Sequence, residues 1–329
     1  MATMLQFRKR YISSLNKLLA VLLLLPWLML NRAPAQCLTS VNPVGGSNNL
    51  LALDRSTLRV ISFYRFNYGN RYFEGDRLSD FDLIRSANYN YAGTIAGFGL
   101  TESITLESEL GYFINKTQNY NLTPSYMLRG SGFSNAIVSL RYGLLSDEVR
   151  RFFISSSAGL KIPLSRDPIS RNGVELPVEM QPTIGSYGAV FQLFVVKEKP
   201  ESGTRYFLTG RLEMNDRNLQ DYKLGTSVFT SLFLSKHLML PWLRGDWTTI
   251  LQLRNEIRGR DKTAGGWKES SGSTIFYISP QINYVIKEKW NISLMLDLPL
   301  YQNFRGTQLA SNYGLSLNFA RDFNLQRQN

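Results

Sequence analysis

Two carboxylates, Glu107 and Glu109, interrupt the apolar stretch ITLESELGYF between Ile104 and Phe113. Carboxylates this close can divide general acid and base work when both point into a cleft. The same spacing puts them on one face of a β-strand, with Ile104, Leu106, Leu110 and Tyr112 on the other. On that second reading they are the wet side of a strand whose opposite side is buried against something apolar.

Other chemistry-bearing residues are scarce. His237, in the short stretch SKHLML, is the one histidine, and Cys37 is the one cysteine. No His/Cys cluster exists for zinc, and no intrachain disulfide can form. The phosphate-loop pattern G-x-x-x-x-G-K-[ST] is absent. No catalytic residue, cofactor or metal is therefore assigned.

The first segment bears on compartment. A basic stretch with Arg8, Lys9, Arg10 and Lys17 precedes an apolar run from Leu18 to Leu30, and Ala33 and Ala35 form an A-x-A pattern. This predicts a signal peptide over residues 1–35, cleaved after Ala35. The run is short for a membrane-spanning helix. Gln36 is not the small residue that a lipoprotein signal places before its cysteine, so Cys37 is not expected to carry lipid. The leader holds five basic residues (with Arg32) and no acid. The 37 basic residues thus fall to 32 against 25 acidic, a net of +7. That balance gives no reason to expect a nucleic-acid partner and suits anionic headgroups or an acidic solute.

Beyond residue 55 the dominant pattern is alternation, in segments of about ten residues broken by Gly, Asn, Asp and Ser. Twelve strands are predicted, at 57–68, 86–99, 104–116, 133–145, 151–164, 185–198, 204–215, 222–235, 241–258, 273–287, 290–301 and 311–323. Short links such as LTES, SDEVR and KEK alternate with long ones such as GNRYFEGDRLSDFDLIR, TQNYNLTPSYMLRGSG, SRDPISRNGVELPVEMQPT and GRDKTAGGWKESSG. A soluble sandwich has no reason to sort long and short loops by end. A transmembrane barrel does so, with short periplasmic turns and long extracellular loops. The expected fold is all-β: one antiparallel transmembrane barrel of about 12 strands over 56–323. It follows a periplasmic segment, 36–55, and precedes a tail, 324–329. Lipid offers no hydrogen-bond partners, so lipid-facing strands must close on themselves.

Within that frame the opening pair resolves. Glu107 and Glu109 face the lumen, and ion pairing with Arg141, Lys161 or Arg211 is the expected role rather than catalysis. The same parity rule makes Arg65, Glu213, Arg254, Glu256 and Asp297 lumen-lining candidates. The strands GSYGAVFQLFVVKEK and LGTSVFTSLFLS carry apolar residues on both faces, so part of the lumen is apolar, plugged or packed. His237 falls in a short turn. Barrel hydrolases that use histidine keep it near the outer leaflet, so a hydrolase is the weakest of three readings. The second is a non-transporting partner in assembly or secretion that binds through its long loops.

The segments GLTESITLE, GFSNAIVSLRYGLL and AGLKIPLS resemble the turn and strand motifs of the barrel family called MetA pathway of phenol degradation, over about residues 60–164. Asn135 stands where many of its members have Asp. The resemblance implies an outer-membrane channel for small, often hydrophobic or aromatic, solutes, and it carries over no ligand or catalytic residue. The last strand, with Tyr313, Leu315, Leu317, Phe319 and Phe323 in one parity, resembles the C-terminal signal read by the barrel-assembly machinery. Outer-membrane lipid, that machinery and a small solute are the expected partners. Intact-mass measurement of the exported protein should give a chain that begins at Gln36 and carries no lipid. A mass that retains residues 1–35 would overturn the leader.

Overall fold

The computed structural model describes residues 52–171, 173–238, 245–287 and 289–325. The signal peptide, Cys37, residues 36–51 of the N-terminal segment and residues 326–329 of the tail lie outside the described residues.

Twelve strands form the wall: β1 Thr57–Gly69, β2 Ile84–Gly99, β3 Ile104–Tyr120, β4 Ala136–Asp147, β5 Phe152–Ile162 and β6 Gly188–Lys199, then β7 Thr204–Asn215, β8 Ser227–Leu238, β9 Asp246–Arg258, β10 Ser273–Ile286, β11 Trp290–Ala310 and β12 Tyr313–Asn324. Each pairs antiparallel with its sequence neighbour. β1 also pairs with β12, from Thr57↔Asn324 to Tyr68↔Tyr313, so the sheet closes into a barrel. Closure leaves no strand edge with unpaired backbone groups facing lipid.

Why these residues form this wall is visible in β4. Val138, Leu140 and Tyr142 point outward and are exposed, while Ile137, Ser139 and Arg141 point inward and are buried. The outward set is the surface that lipid covers. Inside, Gln252, Asn283, Ser279 and Asn318 are fully enclosed. Polar contacts such as Gln252 Nε2 to Ser231 Oγ (2.9 Å) and Asn318 Nδ2 to Ser293 Oγ (2.9 Å) satisfy part of that lining.

Three long links are more ordered than their composition suggests. β11 runs 21 residues and continues through QNFRGTQLA, between the predicted strands 290–301 and 311–323. About 9–11 tilted residues cross a membrane, so its upper half stands above the lipid. A register shift between Phe304 and Thr307 lets the strand bend and go on, with Gly306 at φ +67°. Arg71–Gly75 pairs with this upper half and Arg77–Ser79 with Arg71–Gly75. Tyr126–Phe133 likewise extends the wall beside β3. Local alternation is weak there, and pairing with a neighbouring strand supplies the order.

Facing sets a measurable asymmetry on one strand. Leu110→Lys should destabilise the barrel by about 2–4 kcal/mol near the bilayer midplane, whereas Glu109→Gln, one position away, should leave the unfolding midpoint in vesicles nearly unchanged. The opposite order in urea titrations would reverse the assigned faces.

Candidate functional site

The lumen holds three layers. Toward the short-turn end, Phe153, Phe194, Val196, Phe207, Phe233 and Ile250 of β5 to β9 form a packed apolar cluster. Two of these strands are the ones whose alternation failed in the sequence, because they are apolar toward the lumen as well as toward lipid. At the same mouth, Leu53 donates its backbone N–H to Thr105 Oγ1 at 2.7 Å, which tucks residues 52–55 against the inner wall.

Above the apolar cluster lie the charged residues. Arg141 Nη2 stands 3.0 Å from Glu107 Oε1, with both side chains almost fully buried (4% and 6% exposed). Its guanidinium also sits 4.0 Å from the centroid of the Phe194 ring, which joins the ion pair to the apolar layer. Arg211 connects Glu109 (3.3 Å) to Glu213 (2.7 Å), and Lys161 Nζ donates to Glu213 Oε2 and Asn215 Oδ1, each at 3.0 Å. Gly111 makes room beside this group: a Cβ there would lie 1.8 Å from the Tyr91 hydroxyl. Across the lumen wall, Arg254 faces Glu256 at 2.8 Å and Asp297 at 3.4 Å, and it lies 4.5 Å from the Tyr277 ring centroid. The Arg254–Glu256 contact has ion-pair distance without hydrogen-bond alignment. Ser279 donates to Asp297.

The structure thus joins nine of the ten sequence candidates in ion pairs. Arg65 is the exception. Its Nε and Nη2 are buried without an acceptor, and its guanidinium lies 4.8 Å from the Phe63 ring centroid. The ten balance as five cations and five carboxylates, so the layer is close to neutral.

The third layer is a cavity of about 510 Å3 on the long-loop side. Glu213 and Glu256 line it, as do Tyr89, Lys116, Phe229, Ile275 and Phe304. Its volume is in the range of small-molecule pockets. The link between β5 and β6 folds inward over it. Met180 is 1% exposed, and Gly130 on the inner wall lets the Met180 carbonyl approach to where a Cβ would be 2.3 Å away. Gln181 secures the link to itself through Ile169 and Leu176. Lys116 Nζ donates to the Gln181 carbonyl at 2.8 Å, and Thr183 donates to Asn135, the position that departs from the resembled family. Lys268 pairs with Glu179 at 2.7 Å and ties the link to the loop between β9 and β10. That loop is itself fixed by Asp261, which accepts from Tyr222 and from the Gly225 N–H. Burial, then the Asp261 hydrogen bond and charge, push the Tyr222 phenol well above its ordinary value, so it stays a donor.

Lys116, Tyr89 and the inward loop were missed in the sequence. A register shift within β3, between Phe113 and Lys116, turns Lys116 to the inner face against its strand's earlier parity. Nothing in the local pattern marks such a shift. His237 lies at the short-turn end, its Nδ1 3.1 Å from Asp246 Oδ1 but not aligned for a hydrogen bond. Among the described residues no hydroxyl hydrogen-bonds His237, and no group of three or more His, Cys, Asp and Glu side chains could hold a metal.

No family model and no curated protein matches the sequence. Solved structures do match the fold. The COG4313 outer membrane channel from Pseudomonas putida F1 superposes with a TM-score of 0.66 at 14% identity, covering 86% of this chain and all of that one. The shared fold is a closed antiparallel β-barrel of the outer-membrane type. A KdgM porin (TM-score 0.42, 9% identity, 80% and 99% covered) and a Pseudomonas aeruginosa FadL homologue (0.40, 6%, 89% and 96%) are more distant.

Arg141 carries the next expectation. Arg141→Met strands Glu107 in the interior and should cost about 3–5 kcal/mol, while adding Glu107→Leu should recover most of the loss. Urea titration of the refolded variants reads both. Equal stability of wild type and Arg141→Met would show that the pair contributes nothing.

Proposed function

We propose that the protein is an outer-membrane channel for small solutes of hydrophobic or aromatic character. The long loops face outward and the short turns face the periplasm. The observation that carries this reading is the cavity between the inward loop and the charged layer. An eight-stranded barrel is filled by its own side chains or by one small ligand and barrels of 16–18 strands leave an aqueous channel, so twelve strands, between the two, give room for a solute in a narrow or partly plugged lumen. The mixed apolar and polar lining suits a small amphipathic molecule. The likeness to the COG4313 channel fold supports transport, and the motifs over residues 60–164 support membership in the MetA-pathway barrel family. The leader targets the chain for export, and Tyr313, Leu315, Leu317, Phe319 and Phe323 of β12 engage the barrel-assembly machinery. The chain is not an enzyme on this reading.

The packed apolar cluster favours one rival, a closed barrel that serves as an assembly or secretion partner. Single-channel recording separates the two. The refolded protein should show small conductance steps, because side chains narrow the lumen, and aromatic solutes should reduce them. Glu109→Gln removes one wall carboxylate while Arg211 keeps Glu213, so the pore should shift toward anions. A barrel that never conducts under any solute would support the rival instead.

A further inference from the structure

We infer that the cavity is a binding site for a small amphipathic organic anion, with the anionic group on Lys116 and the apolar body on Phe229, Ile275 and Phe304. The inference rests on the channel reading and specifies the charge of the solute.

The argument is an account of charge around one cavity. Five ionisable Lys, Arg or Glu side chains line it: Lys116, Glu179, Glu213, Glu256 and Arg258. Each carboxylate already has a cation. Glu179 is held by Lys268, Glu213 by Lys161 and Arg211, and Glu256 by Arg254. Arg258 is held by Asp261 at 3.3 Å. Lys116 is left without a carboxylate among the described residues. Its ammonium meets the Gln181 carbonyl at 2.8 Å and the Phe113 ring at 5.0 Å, and Glu179 acts on it only at longer range, so no carboxylate sits in direct contact with it.

A second cation reinforces the field. Arg65 lies two strands away and toward the charged layer. It too lacks a carboxylate partner among the described residues, and two of its guanidinium nitrogens are buried without an acceptor. Asp297 and Glu109 act on it only at longer range. Tyr89, which stands opposite Lys116 in the β2–β3 register, lines the cavity between the two cations. An ammonium with no carboxylate in direct contact, in a partly enclosed, low-dielectric cavity, attracts an anion more strongly than it would in water. A carboxylate would accept a charge-assisted hydrogen bond from Lys116 Nζ. The opposite wall offers Phe304 and Ile275, which belong to an apolar cluster with Tyr277 and Ala310, so the rest of the ligand should be apolar. A cation would meet only carboxylates that are already paired.

The bland role for Lys116 is to pin the inward loop through Gln181. The two roles differ in what they predict for a charged ligand and its neutral isostere. Benzoate and benzamide are the probes, and titration calorimetry on the refolded full barrel is the measurement. Wild type should bind benzoate about tenfold more tightly than benzamide. Lys116→Met should abolish that preference and leave benzamide binding nearly unchanged, and Lys116→Arg should retain it. If both probes weaken together in Lys116→Met, or if the preference survives there, the anion site is overturned. Equal binding of the two probes to wild type overturns it as well, while single-channel conductance of the same sample still supports the channel. Should Lys116→Met lose its heat-modifiable gel band, wild type alone supplies the test. Benzoate, but not benzamide, should then slow acylation of Lys116 read by mass spectrometry, and equal acylation rates overturn the inference.

Discussion

Everything in this molecule follows from one requirement: each backbone N–H and C=O that faces lipid must find its partner in the chain itself. The pairing of β1 with β12 meets it, since without that seam two strand edges would stand open in hydrocarbon. Closure then fixes the rest. Alternate side chains must face lipid or lumen, charges are expelled from the outer face, and the interior collects whatever the outer face cannot hold. The paired glutamates that open the question of catalysis are inside for this reason, beside arginines, and not in a cleft built for proton transfer.

A lumen that collects charge must also neutralise it. Burying an ion costs several kcal/mol unless a partner and further hydrogen bonds compensate. Arg141 and Glu107 meet that condition as a close pair over the Phe194 ring, and Arg211 meets it by holding Glu109 and Glu213 together. The resulting layer is close to neutral.

The inward link between β5 and β6 gives the barrel its outer boundary. Its attachments differ in strength. The Gln181 contacts are enclosed, whereas the Lys268–Glu179 pair is largely exposed, with the Glu179 side chain 57% accessible, and such pairs contribute about 0–1 kcal/mol. The link is thus held firmly at its own turn and weakly to its neighbour.

Much of the architecture was legible in the chain because its code is local. Period-two alternation marks each strand and its faces, so the twelve strands and the inward facing of Glu107, Glu109 and Arg141 could be read residue by residue. Loop length sorted the two ends. What the pattern could not supply was adjacency. Glu109 meets Arg211, 102 residues away, only because closure and register bring β3 and β7 to face across the lumen. The extension of β11 to Ala310 depends on pairing with Arg71–Gly75, and the turn of Lys116 into the cavity depends on a shift in register that no spacing announces. The sequence by itself determined the barrel and, where alternation runs unbroken, which side chains face inward, since alternation is a property of each strand alone. The tertiary structure decided which charges neutralise one another and which cation is left over, because those are properties of strands far apart in the chain.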